Sequence, residues 1–205
     1  VPGDDTGRTD RLERLRAAIE AVQSGGGEPL VDELAEERLA PLTAKANRLI
    51  EQRDRSVAEL RRRLTDSLDE GDDPALVEAV IDRCLRAGML DDARFAHEWV
   101  RQRAANQRRS VAVLRRELRE KGVAAPVIEE ALEQVSEDDQ DRVLGELVTK
   151  KAGTVKTVPA DRRDYDRALR RIVGVAARRG FPQGRSLTAA RQALDARIAE
   201  LGGER

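Results

Sequence analysis

The sequence predicts an all-α protein: a tandem array of three three-helix repeats, elongated and curved, behind a flexible N-terminal extension. Three observations predict it. First, 40% of the 205 residues are hydrophobic, 38% are charged and only 2% are aromatic. Ala, Leu and Val dominate the apolar set beside Arg and Glu, and Ala, Leu, Arg and Glu lose little side-chain freedom in a helix. Second, alternating β-branched runs are nearly absent, and only Val155–Val158 has the look of a strand. Third, the segment from Arg55 to Leu64 (RSVAELRRRL) recurs from Arg109 to Leu118 (RSVAVLRREL), identical at eight of ten positions and 54 residues later. Repetition at about fifty residues marks a modular helical array in which each unit leans on its neighbours.

Residues 1–35 read as a mobile extension. Leu12, Leu15, Ile19 and Val22 have helical spacing, but Ser24 and Gly25–Gly27 end the segment, and one thin apolar stripe is marginal alone. The first repeat, 36–91, opens with a helix over Leu34–Gln52 that carries Leu39, Leu42, Ala46, Leu49 and Ile50 on one side, with Pro41 expected to kink it or delay its start. Ser56 and Glu59 form a capping box ahead of Val57, Leu60 and Leu64. Asp69–Asp73 breaks that helix. Asp73 as cap and Pro74 at the first helical position start the next, whose Leu76, Val80, Cys84 and Leu85 face inward until Gly88 stops it.

The second repeat, 92–139, begins at a junction that holds the single Met, His and Trp of the chain, with the single Cys just before it. Asp91 and Asp92 read as caps for a helix over Ala93–Ala105. Phe95 with Trp99, and Ala96 with Val100, are four apart and make one apolar face. Leu90, Phe95, Trp99 and Val100 are therefore expected to pack the seam between repeats. Val111, Leu114 and Leu118 repeat Val57, Leu60 and Leu64; Gly122 ends that helix, and Ala125-Pro126 opens another through Ile128 and Leu132. In the third repeat, 140–205, Asp141–Val148 aligns with Ala93–Val100, so that Val143 stands for Phe95 and Leu147 for Trp99. A linker from Gly153 to Asp161 leads to helices over Arg163–Arg179, ended by Gly180-Phe181, and Leu187–Leu201.

The net charge of −1 hides two basic blocks, at 93–121 and 150–179. Such a block meets phosphate or an acidic protein surface, or is simply a solvated helix face, and composition leaves these open. One Cys makes no internal disulfide, which suits a reducing interior. No apolar run reaches the roughly 18 residues that span a bilayer, and no signal peptide opens the chain, so a soluble cytoplasmic protein is expected. Cys84 lies on an apolar stripe and reads as an inert thiol, whereas His97 lies off the Phe95–Trp99 face. One Cys and one His fall short of a structural zinc site. Gly25–Gly27 lacks the Lys and Ser/Thr of a phosphate loop, and Asp69–Asp73 lacks calcium-loop spacing. No catalytic constellation emerges, so neither an enzyme nor a cofactor is expected.

The stretch Gly88-Met-Leu-Asp-Asp-Ala-Arg-Phe-Ala96, followed by Trp99 and the Arg101/Arg103 pair, resembles the signature of the RecX regulatory proteins. So does Val113–Gly122 with the following Ile128–Leu132. The resemblance runs from about Ala46 to Leu201 and is tightest from Arg55 to Leu132. It departs in the diverged third repeat with its long linker, in the N-terminal extension, and in the acidic insert at Asp69–Asp73. What it implies is a non-enzymatic modulator that lies along the groove of the RecA–DNA filament and inhibits or alters recombinase, coprotease and ATPase activity in DNA repair and the SOS response. Contacts with RecA or DNA are expected at Arg94, Arg101, Arg108, Arg109, Arg115, Arg116 and Arg119, which lie off the apolar stripes. The chain is expected to act as a monomer, with weak, salt-sensitive contact to DNA phosphates and none to membranes. A DNA-binding protein of helix-turn-helix type and a passive helical scaffold are the alternatives.

Overall fold

The computed structural model describes Arg16 and residues 28–203. Among these residues there is no strand, and nine helices follow in order: α1 (Glu28–Gln52), α2 (Val57–Thr65), α3 (Ala75–Arg86), α4 (Asp92–Gln107), α5 (Val111–Glu120), α6 (Ala125–Leu132), α7 (Glu137–Ala152), α8 (Arg162–Arg178) and α9 (Gln183–Gly203). The extension expected at 1–35 falls outside the described residues, apart from Arg16 and the first turns of α1. The described residues divide into two compact units. One holds α1 and Leu60–Leu90; the other holds Ser56–Glu59 and everything from Asp91 onward.

In the first unit α1 packs on α3. Leu39, Leu42 and Ala46 of α1, Leu60 and Leu64 of α2, and Val77, Val80, Ile81 and Cys84 of α3 are buried. α1 begins six residues ahead of the expected Leu34 and continues past Pro41 to Gln52. Proline removes one backbone hydrogen bond, but Leu39 and Leu42 on either side of it are buried and hold the turn in place. The carboxylate of Asp73 accepts from the Ala75 N–H at 2.9 Å and caps α3. Gly88, at φ +67°, closes it, with the Met89 N–H reaching back to the Cys84 carbonyl at 2.9 Å. One inward assignment is corrected: Leu85 sits beside the Val77–Cys84 stripe in the last turn and is 41% exposed. Across helices, Arg61 clasps Glu78 and Arg83 clasps Glu36, each through two hydrogen bonds.

In the second unit two cores lie in sequence. Phe95, Ala96 and Val100 of α4 meet Leu114 and Leu118 of α5, Val123, and Ile128, Ala131 and Leu132 of α6. Leu144, Leu147 and Val148 of α7 meet Leu169, Ile172 and Ala176 of α8, Phe181, and Ala190 and Leu194 of α9. Four of the N-caps are side chains that accept the N–H three residues on: Asp91 from Arg94, Ser110 from Val113, Ser136 from Asp139 and Asp161 from Asp164. Val155–Val158 forms no strand; Val155 closes a turn onto the Ala152 carbonyl. α9 starts right after Pro182, four residues before the expected Leu187, because its first turn is polar and hides the apolar period from a sequence reading.

Candidate interaction surface

The seven arginines singled out in the second repeat do not form one patch. Arg101 doubles back on Glu98 at 2.6 and 2.8 Å, and this pairing, with a further bond from Gln102, holds the Glu98 carboxyl down at about 2. Arg115 crosses from α5 to α6 and grips both oxygens of Glu129 at 2.7 Å; the guanidinium draws that carboxyl below its ordinary range. Arg116 reaches Glu120 at 3.7 Å, Arg109 reaches Glu117 at 3.8 Å, and Arg108, in the left-handed region at φ 51°, reaches Glu146 of α7 at 3.3 Å. Arg94 is exposed in the first turn of α4, and Arg119 is exposed on α5, where its charge adds to the field on Glu129. Arg101 and Arg108 line a cleft of about 400 Å³ with Arg142 and Glu146. Arg115 lines a second cleft, of about 410 Å³, with Glu129, Glu133 and Arg185. Acidic partners therefore answer five of these seven arginines.

The four residues read as junction packing take different places. Phe95 and Val100 belong to the α4–α6 core. Leu90 is buried in the first unit. Trp99 is half-buried and builds a charged shelf. Its ring lies 5.7 Å from Phe95, with the Arg103 guanidinium 4.2 Å from its centre and the Lys121 ammonium at 5.2 Å. The indole N–H donates to Glu117 at 3.0 Å, and Lys121 also meets the buried carboxylate of Glu59 at 3.0 Å.

A set of contacts that sequence reasoning missed occurs twice. The Ser56 hydroxyl donates to the Lys121 carbonyl at 2.5 Å, while the Val57 N–H donates to the Asp92 carboxylate at 2.9 Å. One repeat later the Ser110 hydroxyl donates to the Gly180 carbonyl at 2.7 Å, and the Val111 N–H donates to the Gln140 side-chain oxygen at 3.0 Å. Each serine thus caps its own helix and plugs into the turn that ends a later helix. Close approach there demands glycine: a Cβ on Gly122 would lie 2.4 Å from the Ala58 Cβ, and one on Gly180 would lie 2.1 Å from the Val113 Cγ2, both at positive φ. Asp91 is the N-cap of α4, and Asp92, read with it as a cap, stands in the first turn and receives the N–H of Val57. The signal was present in the register, since aligning Asp141 with Ala93 sets Gln140 on Asp92.

Cys84 is buried, and desolvation pushes its thiol up. His97 is exposed, and its carbonyl accepts from Gln134. Among the described residues no group of three or more His, Cys, Asp or Glu is placed to hold a metal ion, and no helix is long and apolar enough to cross a membrane.

Residues 91–132 match the family model described as RecX, second three-helix domain. The chain is 45% identical over 204 residues to the regulatory protein RecX of Corynebacterium efficiens, covering 98% of this chain and 95% of that one. It is 36% identical over 146 residues to the RecX of Amycolatopsis mediterranei, covering 71% and 79% of the two chains. Among solved structures, RecX from Lactobacillus salivarius superimposes with a TM-score of 0.62 over 78% of this chain and 98% of that one, at 18% identity, which speaks to the fold.

Proposed function

Because the chain belongs to the RecX family of regulatory proteins, we propose that it binds the RecA–DNA filament and modulates RecA recombinase, coprotease and ATPase activity in DNA repair. What carries the reading is that its likeness to a regulatory protein runs along almost the whole chain rather than through one module. The near-identity of Arg55–Leu64 and Arg109–Leu118 supports it physically. Segments of like sequence offer like surfaces more than once along the chain, and a filament presents similar sites at intervals. Several weak contacts then add through effective concentration. In this reading the chain works as a monomer, with no cofactor and no chemistry of its own. Filament contacts are assigned to Arg94, Arg101, Arg108, Arg109, Arg115, Arg116 and Arg119.

The test adds the full chain to RecA filaments on single-stranded DNA and follows ATP hydrolysis and strand exchange. Both should slow as protein is added. Arg115→Glu with Arg116→Glu should raise the concentration needed for half-inhibition several-fold, with little change in melting, because exposed ion pairs contribute at most about 1 kcal/mol. No slowing at saturating protein would refute the function. Unchanged inhibition by the double variant would refute the assignment of the contact to α5.

A further inference from the structure

We propose that the exposed face of α8 is a binding site for double-stranded nucleic acid, gripped through its phosphates without base readout. α8 carries six arginines and two aspartates. Both aspartates are engaged within the helix: Asp164 pairs with Arg167 at 2.9 Å and Asp166 with Arg162 at 3.2 Å. Arg163, Arg170, Arg171 and Arg178 are exposed and make no ion pair among the described residues. This is the reverse of the second repeat, where Glu98, Glu117, Glu120, Glu129 and Glu146 answer the arginines.

These four arginines and Arg167 share one side of the helix, within about 100° of one another at 3.6 residues per turn. Leu169, Ile172 and Ala176 hold the opposite side in the core. Gly174 lies midway along the stripe with no side chain of its own, and a Cβ there would meet only the Arg178 Nη1, at 3.4 Å. One flank of the stripe continues into a cleft of about 370 Å³ where Arg167 and Arg171 are joined by Lys151 and Lys156.

Spacing selects the partner. Arg163, the Arg170/Arg171 pair and Arg178 recur every seven or eight residues, a rise of about 11 Å. The major groove of a duplex is about 12 Å wide between its phosphate ridges, so successive clusters can meet opposite ridges. A single inorganic anion would use the cleft and leave the rest of the stripe idle. α8 offers no free aromatic ring for base stacking, since its one aromatic, Tyr165, is half-buried, donates to Asp195 at 2.8 Å and stacks with Arg162. Charge density then favours duplex over single strand.

The proposal is independent of RecA and is tested without it. Full-length protein is titrated into fluorescein-labelled 24-base-pair duplexes of two unrelated sequences, and into a single strand of equal length, from 50 to 200 mM NaCl. The parent should bind both duplexes alike and more tightly than the single strand. Arg170→Gln with Arg171→Gln should lower the slope of log affinity against log salt by about 1.8, two contacts at about 0.9 each. That is a loss of affinity between 50 and 200 mM about 12-fold smaller than the parent's. Arg163→Gln with Arg178→Gln should do the same, and Arg62→Gln with Arg86→Gln, exposed in the first unit, should leave the slope unchanged. Equal slopes for parent and both α8 variants, an equal drop in the first-unit variant, or preference for the single strand would each overturn it.

Discussion

Gly180→Ala probes the contact that joins the second repeat to the third. Gly180 stands at φ +81°, where a Cβ is strained, and a Cβ there would lie 2.1 Å from the Val113 Cγ2 and 2.9 Å from the Ser110 Oγ. The left-handed backbone costs about 1–2 kcal/mol for a residue with a Cβ. Forcing a methyl into the packed site costs about 1–3 kcal/mol more, so the variant should lose about 2–5 kcal/mol. Gly88→Ala isolates the first contribution, because Gly88 has φ +67° and no atom within 4 Å of its Cβ position; about 1–2 kcal/mol is expected there. Urea denaturation followed by circular dichroism measures both, and Trp99 fluorescence reports the second unit separately. Adding Val113→Ala removes the clashing methyl. It should therefore cost less in the Gly180→Ala background than in the parent, which a double-mutant cycle reads directly. A loss at Gly180 no larger than at Gly88, or additive behaviour with Val113→Ala, would refute the close approach.

Two further outcomes follow from the second repeat. Trp99→Ala should destabilise by about 2–3 kcal/mol, less than a fully buried Trp, because the ring is only half-buried beside Phe95 and between Arg103 and Lys121; thermal melts giving under about 1 kcal/mol would mean the shelf is not a packing site. Glu98, held at about 2 by Arg101 and Gln102, has a folded pKa below its unfolded one. The contribution of its pairing is therefore complete above the unfolded value and fades as pH falls toward 2; carbon-detected titration should place its midpoint near 2, and a midpoint near 4 would show the pair to be broken in solution.

Local chemistry was readable where a residue acts on its own neighbours. Ser56, Ser110, Asp73 and Gly88 cap or stop helices as their sequence positions imply, because a cap needs only the next three residues. The start of α9 was misplaced because its first turn is polar and gives no apolar period, and α1 begins six residues ahead of the expected Leu34. Leu85 was misjudged because a residue at the margin of a stripe is buried only if a neighbour extends over it.

The sequence by itself determined that the protein is helical, that its modules repeat, and in what register they repeat, since composition, periodicity and the Arg55/Arg109 match are properties of the chain alone. Only the tertiary structure decided which charges remain available. Arg115 meets Glu129 and Arg108 meets Glu146 across helices, whereas Arg170 and Arg171 meet no acid among the described residues. Linear spacing reveals partners three or four residues away on one helix, but a carboxylate brought from another helix neutralises an arginine only once the helices pack. The tertiary structure also decided the double duty of Ser56 and Ser110, whose hydroxyls cap locally and bond 65 and 70 residues away. The physical reason is the same: a hydroxyl has a lone pair for its own helix and a proton for whatever the fold sets against it.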